Sequence, residues 1–133
     1  MTQHDPSTAV NARDWLSGKQ EAQLAYATGH GWCHLVVRYA MLNGRVVFRL
    51  PEYSSAVGYA RDQPVTIEVP VHDRRGASSG HVRVSGTASV VSDDDRAGAD
   101  HVLDEHWPDG VVTHVLALPT TEVDLVEAAS TLD

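Results

Sequence analysis

Residues 31–69 read GWCHLVVRYAMLNGRVVFRLPEYSSAVGYARDQPVTIEV, and this stretch decides the fold. Asn43-Gly44 divides two apolar runs within it. This dipeptide favours a type I′ hairpin turn, because both central residues of that turn need positive φ. We therefore predict an antiparallel pair of strands over residues 32–42 and 45–50. Pro51 ends the second strand, since proline cannot donate to a sheet ladder.

The second half of the stretch predicts a short helix followed by another strand. Ser54 or Ser55 can begin a helix that runs to about Arg61. Residues 65–71 then alternate apolar and polar side chains, which indicates a half-buried strand. The order strand, turn, strand, helix, strand is therefore fixed by local signals alone.

Outside this stretch, apolar periodicity predicts four more strands and two more helices. Gly86 lies inside the clearest of these strands and indicates either a bulge or a close approach by another backbone. In the last helix we expect Ala97, Val102 and Leu103 to be buried. The added strands are residues 23–28, 81–91, 111–118 and 122–126, and the added helices are residues 7–18 and 92–106.

The predicted elements amount to six to seven mostly antiparallel strands and three short helices. A single sheet of that size with mixed faces usually curls, so we predict a mainly β fold, a small barrel with helices over its openings. The 133 residues suit one domain, 1–133, in which 1–6 and 128–133 are frayed termini.

Composition narrows the classes of function. The net charge of −8 argues against a protein that binds nucleic acid or an anionic membrane, because both need a basic field. A single cysteine, Cys33, allows no internal disulfide, and the first residues show no secretion signal. These features favour a cytoplasmic location.

The charge is unevenly distributed along the chain. Residues 31–69 hold four arginines against three acids, a balance of +1, whereas residues 70–133 hold four arginines against twelve acids, a balance of −8. The first stretch is thus the place where a small anionic ligand would meet the least repulsion. The alternative is that these arginines are ordinary solvated strand residues.

The order and spacing of these motifs resemble the pyridoxamine 5′-phosphate oxidase-like family, the FMN-binding split-barrel flavoproteins. The resemblance covers roughly residues 10–127. The segments that carry it are residues 31–44 with the Asn-Gly turn, Phe48-Arg49-Leu50, the helix start at residues 53–56, residues 62–69, and residues 82–91 with Gly86 and Ala88.

The resemblance implies a split β-barrel that forms a homodimer and binds FMN, or a related deazaflavin, in grooves at the subunit interface. In this family, basic and hydroxyl residues of the hairpin and the following helix start hold the cofactor phosphate. In this sequence they correspond to Arg38, Arg49, Ser54 and Ser55. The implied activity is hydride transfer to or from a small organic substrate, and no catalytic acid or base stands out.

Several positions depart from the family pattern. Leu50 stands where a threonine is usual, Ser55 or Ala56 where a lysine is usual, and Cys33 and Val37 where prolines are usual. The C-terminal Arg and His of a true pyridoxamine phosphate oxidase are not recognisable, so we do not expect that activity. These departures leave open a cofactor-free split-barrel protein that acts as a ligand-binding or accessory module.

Histidine and cysteine suggest two further chemistries. His30, His34 and Cys33 could offer metal or haem ligands, and some split-barrel relatives handle haem. His30 is predicted in a turn and His34 on a strand, so their spacing does not align them. Cys33 and His34 are adjacent strand residues that point to opposite faces, which argues against a nucleophile and its base. We therefore expect no metal site.

Overall fold

The computed structural model of the protein describes residue 16 and residues 20–72 and 78–127. The predicted first helix, residues 7–18, lies outside the described residues apart from Leu16, whose side chain is buried. The predicted frayed termini also lie outside. The strands are β1 Gln20–Thr28, β2 Gly31–Leu42, β3 Arg45–Pro51, β4 Pro64–His72, β5 Ser78–Thr87, β6 Ser89–Val90, β7 Thr113–Pro119 and β8 Val123–Glu127, and the helices are α1 Ala56–Ala60 and α2 Asp93–Leu103.

The central hairpin is confirmed. β2 and β3 pair antiparallel, with Tyr39 opposite Phe48 and Leu42 opposite Arg45. Asn43 and Gly44 both have positive φ, 53° and 77°, as the type I′ turn requires.

Eight antiparallel strands form one sheet in the order β6-β7-β3-β2-β1-β4-β5-β8. β5 and β6 follow each other in the chain but lie at opposite sides of this order, so the sheet curls back on itself. The predicted mainly β, split-barrel fold is thereby confirmed. The structure describes one strand more and one helix fewer than predicted.

The extra strand arises because the predicted strand 81–91 is interrupted at Ala88. The backbone of Ala88 leaves the β4 ladder and bonds instead to the segment after α1, donating to Gln63 O at 3.2 Å and accepting from Asp62 N at 2.7 Å. The chain then pairs with β7 through Ser89 and Val90. This crossing closes the barrel.

Gly86 lies near this closure and is closely packed against side chains of β7. A β-carbon added to Gly86 would lie 3.3 Å from Leu118 Cδ1 and 3.7 Å from Pro119 Cγ. The pairing of β4 with β5 is regular at Gly86, opposite Val65. The close approach is therefore made by side chains of β7, and the predicted bulge or backbone contact at this position is wrong.

Apolar side chains form two layers. The barrel interior contains Leu24, Tyr39, Phe48 and Ile67, all without solvent exposure, and α1 covers one opening with Ala56 and Ala60. A second cluster lies outside the sheet, where α2 packs on β2, β3 and β7. Its buried members are Ala40, Val47, Val91, Ala99, Leu103, Val115 and Ala117.

The helix α2 explains why both faces of β2 are apolar. Three aspartates fill its first turn, where they complement the positive helix end, and Asp104 ends it in the left-handed conformation. Ala99 and Leu103, four residues apart, form its buried face, while Val102 is half-buried. The prediction that Ala97 is buried is wrong, because Ala97 lies on the side of α2 opposite to Ala99 and Leu103 and is exposed.

Candidate functional site

A groove with a volume of about 260 Å³ lies where β2, β3, the start of α1 and the loop after α2 meet. It contains three of the four residues predicted to hold a phosphate: Arg38, Arg49 and Ser54. The other residues that line it are Leu35, Val36, Val37, Leu50, Pro51, Tyr53, Glu105 and Trp107.

Arg49 is the most enclosed polar side chain of the groove, with 8% of its side chain exposed. It projects from the outer face of β3 under α2. Its Nη1 donates to Thr113 Oγ1 at 2.9 Å, and its Nη2 donates to Asp100 Oδ1. Its Nε has no hydrogen-bond partner among the described residues and lies 3.8 Å from Glu105 Oε1. Arg49 is thus fixed in place, and Nε is its one guanidinium nitrogen that makes no hydrogen bond to the described residues.

Arg38 is held more loosely. It lies on β2 directly opposite Glu21 of β1, and its side chain is exposed. Within the described part of the chain it makes no hydrogen bond or ion pair, although it lies close enough to Glu105 to influence that carboxyl. Arg38 therefore offers a free guanidinium at the mouth of the groove.

The two serines differ. Ser54 lines the groove, but its Oγ accepts a hydrogen bond from the backbone N–H of Ala56 at 3.2 Å. Its hydroxyl hydrogen stays available to an acceptor. Ser55 directly precedes α1 but is exposed and is not part of the groove wall. α1 spans only five residues, so a helix dipole contributes little to anion binding here.

Two groove residues were missed by sequence reasoning. Glu105 and Trp107 follow α2, and no motif in the sequence marks Glu105. For Trp107 the sequence favours a core or dimer contact over a residue that stacks on a flavin. In the structure Glu105 has 14% of its side chain exposed. Within the described residues, neither Glu105 Oε1 nor Trp107 Nε1 has a hydrogen-bond partner of good geometry, although both atoms are buried.

The surroundings of Glu105 oppose its ionisation. Burial raises the pKa of the Glu105 carboxyl above its ordinary value, and the positive charges of Arg49 and Arg38 and the nearby indole N–H of Trp107 only partly offset this effect. A buried carboxyl with a raised pKa beside two guanidiniums is typical of a functional site.

Asp100 shows the opposite behaviour. Burial alone would raise its pKa, but hydrogen bonds from Arg49 and Arg96 and the charges of these two arginines lower it overall. Arg96 Nε donates to Asp100 Oδ1 at 3.1 Å. Asp100 thus links α2 to β3 and holds Arg49 against the sheet.

Leu50 has a packing role. It replaces the usual threonine of the family, and the structure places its side chain without exposure in the barrel interior beside Phe48. A hydroxyl at this position would face apolar neighbours. The leucine therefore adds apolar packing to the interior.

The described residues contain neither a cluster of metal ligands nor a Cys33–His34 catalytic pair. Across 20–72 and 78–127 no group of three or more His, Cys, Asp or Glu side chains is arranged to hold a metal ion. Cys33 packs against the barrel interior while His34 is exposed, so the two point to opposite faces.

Comparison with known proteins identifies the family. The family model described as pyridoxamine 5′-phosphate oxidase matches residues 11–129. The chain therefore belongs to this family, and the resemblance seen in the sequence is confirmed. Among curated protein sequences no significant match was found.

Solved structures with the same fold include several proteins named for their cofactors. An FAD-binding protein from Mycobacterium smegmatis has a TM-score of 0.74 at 21% identity, covering 90% of this chain and 96% of its own. An FAD-binding protein from Mesorhizobium loti has a TM-score of 0.75 at 19% identity, covering 91% and 95%. An FAD and haem binding protein from M. smegmatis has a TM-score of 0.68 at 15% identity, covering 93% and 73%. At these identities the likeness establishes the fold.

Neither α1 nor α2, the helices in the described part of the chain, is long and apolar enough to cross a membrane.

Proposed function

We propose that this protein binds a flavin nucleotide, with the cofactor phosphate in the groove at Arg38, Arg49 and Ser54. The observation that carries the proposal is the unused donor capacity of this groove. Among the described residues, Arg49 Nε and Trp107 Nε1 are buried without a hydrogen bond of good geometry, although Arg49 Nε lies 3.8 Å from Glu105 Oε1. Within the same part of the chain Arg38 makes no hydrogen bond or ion pair. Charge-assisted donors of this kind suit a phosphate.

FMN is the flavin that the sequence predicts, and the FAD-binding names of two structural neighbours extend the proposal to FAD. FMN and FAD share the ring, the ribityl chain and the first phosphate, so one groove can serve either. A deazaflavin with a phosphate on the same chain meets the same donors.

A bound flavin accepts or donates a hydride, and the protein would thereby act as an oxidoreductase on a small organic substrate. The residues of this chain have the task of binding and orienting: Arg38 and Arg49 neutralise the phosphate, and Ser54 donates its hydroxyl hydrogen. Tyr53 and Val36 add apolar surface beside these groups.

We further propose that the groove lies at the interface of a homodimer. Val36 is 60% exposed and Tyr53 is 78% exposed, although both are large apolar or aromatic side chains on the groove wall. Burial of such a patch by a second copy would stabilise a dimer. Light scattering should then give twice the chain mass of 14.4 kDa, and a Val36→Arg variant should give the monomer mass.

A second candidate function is supported by the acids in the groove. Asp100 and Glu105 already engage Arg49, and Leu50 cannot donate a hydrogen bond. This arrangement suits a split-barrel module that has no flavin and uses the groove for another ligand, haem included. Haem is bound by some proteins of this fold, as their names state.

The absorption spectrum of the protein as isolated separates the two candidates. A flavoprotein should show a band at about 450 nm, and mass spectrometry of the released compound should distinguish FMN, FAD and deazaflavin. A colourless protein that takes up neither FMN nor FAD on titration would favour the module without flavin.

A further inference from the structure

Glu105 occupies a position that does not suit a plain phosphate site. Its side chain lies in the groove with 14% exposure, and its Oε1 lies 3.8 Å from Arg49 Nε, the one guanidinium nitrogen of Arg49 without a hydrogen bond. It also lines a neighbouring cavity together with Arg38 and Glu21. Both arginines of the candidate phosphate site thus face this carboxylate.

The same unused nitrogen cannot serve a phosphate and the Glu105 carboxylate without bringing the two anions close together. In a site largely shielded from water, two adjacent negative groups repel each other strongly, and one of them takes up a proton. Oε1 can carry that proton, because among the described residues no hydrogen bond of good geometry holds it in the acceptor role and Arg49 Nε is 3.8 Å away.

We propose that Glu105 is the specificity-determining residue of the groove, where an anion binds to Arg38 and Arg49 together with one proton that neutralises Glu105. This inference rests on the proposed phosphate site and concerns its regulation. The affinity for an anion should therefore fall as the pH rises, and the groove should discriminate against dianions at alkaline pH.

The charges around Glu105 are consistent with this coupling. Burial raises the pKa of its carboxyl even with two arginines nearby, which favours uptake of the proton. Asp100, in contrast, is held ionised by Arg49 and Arg96 and does not compete for the proton. Among the described residues, the charged and titratable groups that line a cavity together with Glu105 are Arg38 from β2, Arg49 from β3, Glu21 from β1 and Tyr53 from the segment before α1. Asp100 from α2 contacts the same Arg49.

The test compares the wild type with Glu105→Gln, which keeps the shape and removes the titrating charge. Two probes are titrated between about pH 5.5 and about pH 8. FMN tests the cofactor itself, but its phosphate also takes up a proton at about pH 6. Inorganic sulfate keeps its charge across this range, so any pH dependence of its binding belongs to the protein. Glu122→Gln, an exposed change between β7 and β8, controls for net charge.

We expect Glu105→Gln to bind sulfate and FMN more tightly than the wild type near pH 8, because the wild type must take up a proton to bind. Where Glu105 is ionised, the affinity of the wild type should fall by up to about tenfold per pH unit, as one bound proton per anion requires. The difference between the two proteins should shrink as the pH falls toward about 5.5, and Glu122→Gln should follow the wild type. Thermal unfolding confirms that both variants are folded.

Two failures are distinguishable. If both proteins bind FMN with the same affinity and the same pH profile, or if sulfate binding is unaltered by Glu105→Gln, the role of Glu105 is overturned while flavin binding stands. If no protein binds FMN at any pH, the proposed function fails, and the sulfate titration alone decides whether Glu105 couples anion binding to a proton.

Discussion

The barrel interior and the groove differ in how many buried polar groups they contain. None of the described polar or charged residues is fully buried in the interior, which is filled by side chains such as Phe48, Leu24 and Ile67. Among the described residues, four buried side-chain atoms have no hydrogen-bond partner, and three of them line the groove: Arg49 Nε, Glu105 Oε1 and Trp107 Nε1.

This difference suggests that the interior provides stability and that the groove serves function. Buried polar atoms are almost always satisfied in native proteins, because each unsatisfied one costs on the order of 1–3 kcal/mol. Their concentration in one groove, beside an interior that has none, indicates that the groove is shaped for a ligand. Variants that damage one region should therefore leave the other largely intact.

Phe48→Ala tests the interior and should have the largest effect. Removing this fully buried ring leaves a cavity and should lower the free energy of unfolding by about 3–5 kcal/mol, measured by denaturant titration. Val112→Ala, at an exposed site outside the interior and the groove, is the matched control and should cost less than about 1 kcal/mol. Equal losses for both would contradict the role of the interior in stability.

Arg49→Ala tests the groove. Loss of a charge-assisted contact to phosphate, worth on the order of 1.5–3 kcal/mol, should weaken FMN binding by about 10- to 100-fold in a fluorescence titration. Arg61→Ala removes an equal charge from an exposed site outside the groove and should leave the affinity within about twofold. An unchanged affinity in Arg49→Ala would remove this residue from the phosphate site.

A pair of glycine substitutions tests the packing at the barrel closure. Gly86→Ala should destabilise by about 1 kcal/mol, because its methyl group would meet Leu118 at 3.3 Å. Gly58→Ala in α1 has open space around it and should stabilise by up to about 1 kcal/mol, since alanine favours a helix. Thermal unfolding of both variants checks the signs, and a stable Gly86→Ala would show that Leu118 moves freely.

The smallest effect concerns the pH dependence of stability. Asp100 has a lower pKa in the folded protein than its ordinary value of 3.8, so it stabilises the folded state at pH values above 3.8. This contribution disappears as the pH falls through the pKa of the folded state. Because Asp100 is about half exposed, Asp100→Asn should cost no more than about 1 kcal/mol at neutral pH. In acid the wild type and variant should become equally stable, and a constant difference at all pH values would contradict the assignment.

The fold could be predicted because its signals are local. Asn43-Gly44, Pro51 and the alternation over residues 65–71 each fix an element without reference to the rest of the chain. The break at Ala88 could not be predicted, because it depends on hydrogen bonds to residues 62–63, which the sequence places far away.

The candidate site could be predicted only in part. Arg38, Arg49 and Ser54 lie near the predicted hairpin and helix, and the structure brings them into one groove. Ser55 lies outside the groove because this residue, directly before α1, is exposed to solvent. Glu105 and Trp107 reach the groove because the loop after α2 folds back over β2 and β3, a tertiary contact that no local pattern encodes.

Parallel titration of the purified protein with FMN and with riboflavin tests the central claim most directly, because the two ligands differ only in the phosphate. If Arg38, Arg49 and Ser54 hold that phosphate, FMN should bind at least about tenfold more tightly than riboflavin. Equal affinities, or no binding of either ligand, would contradict a phosphate site in this groove.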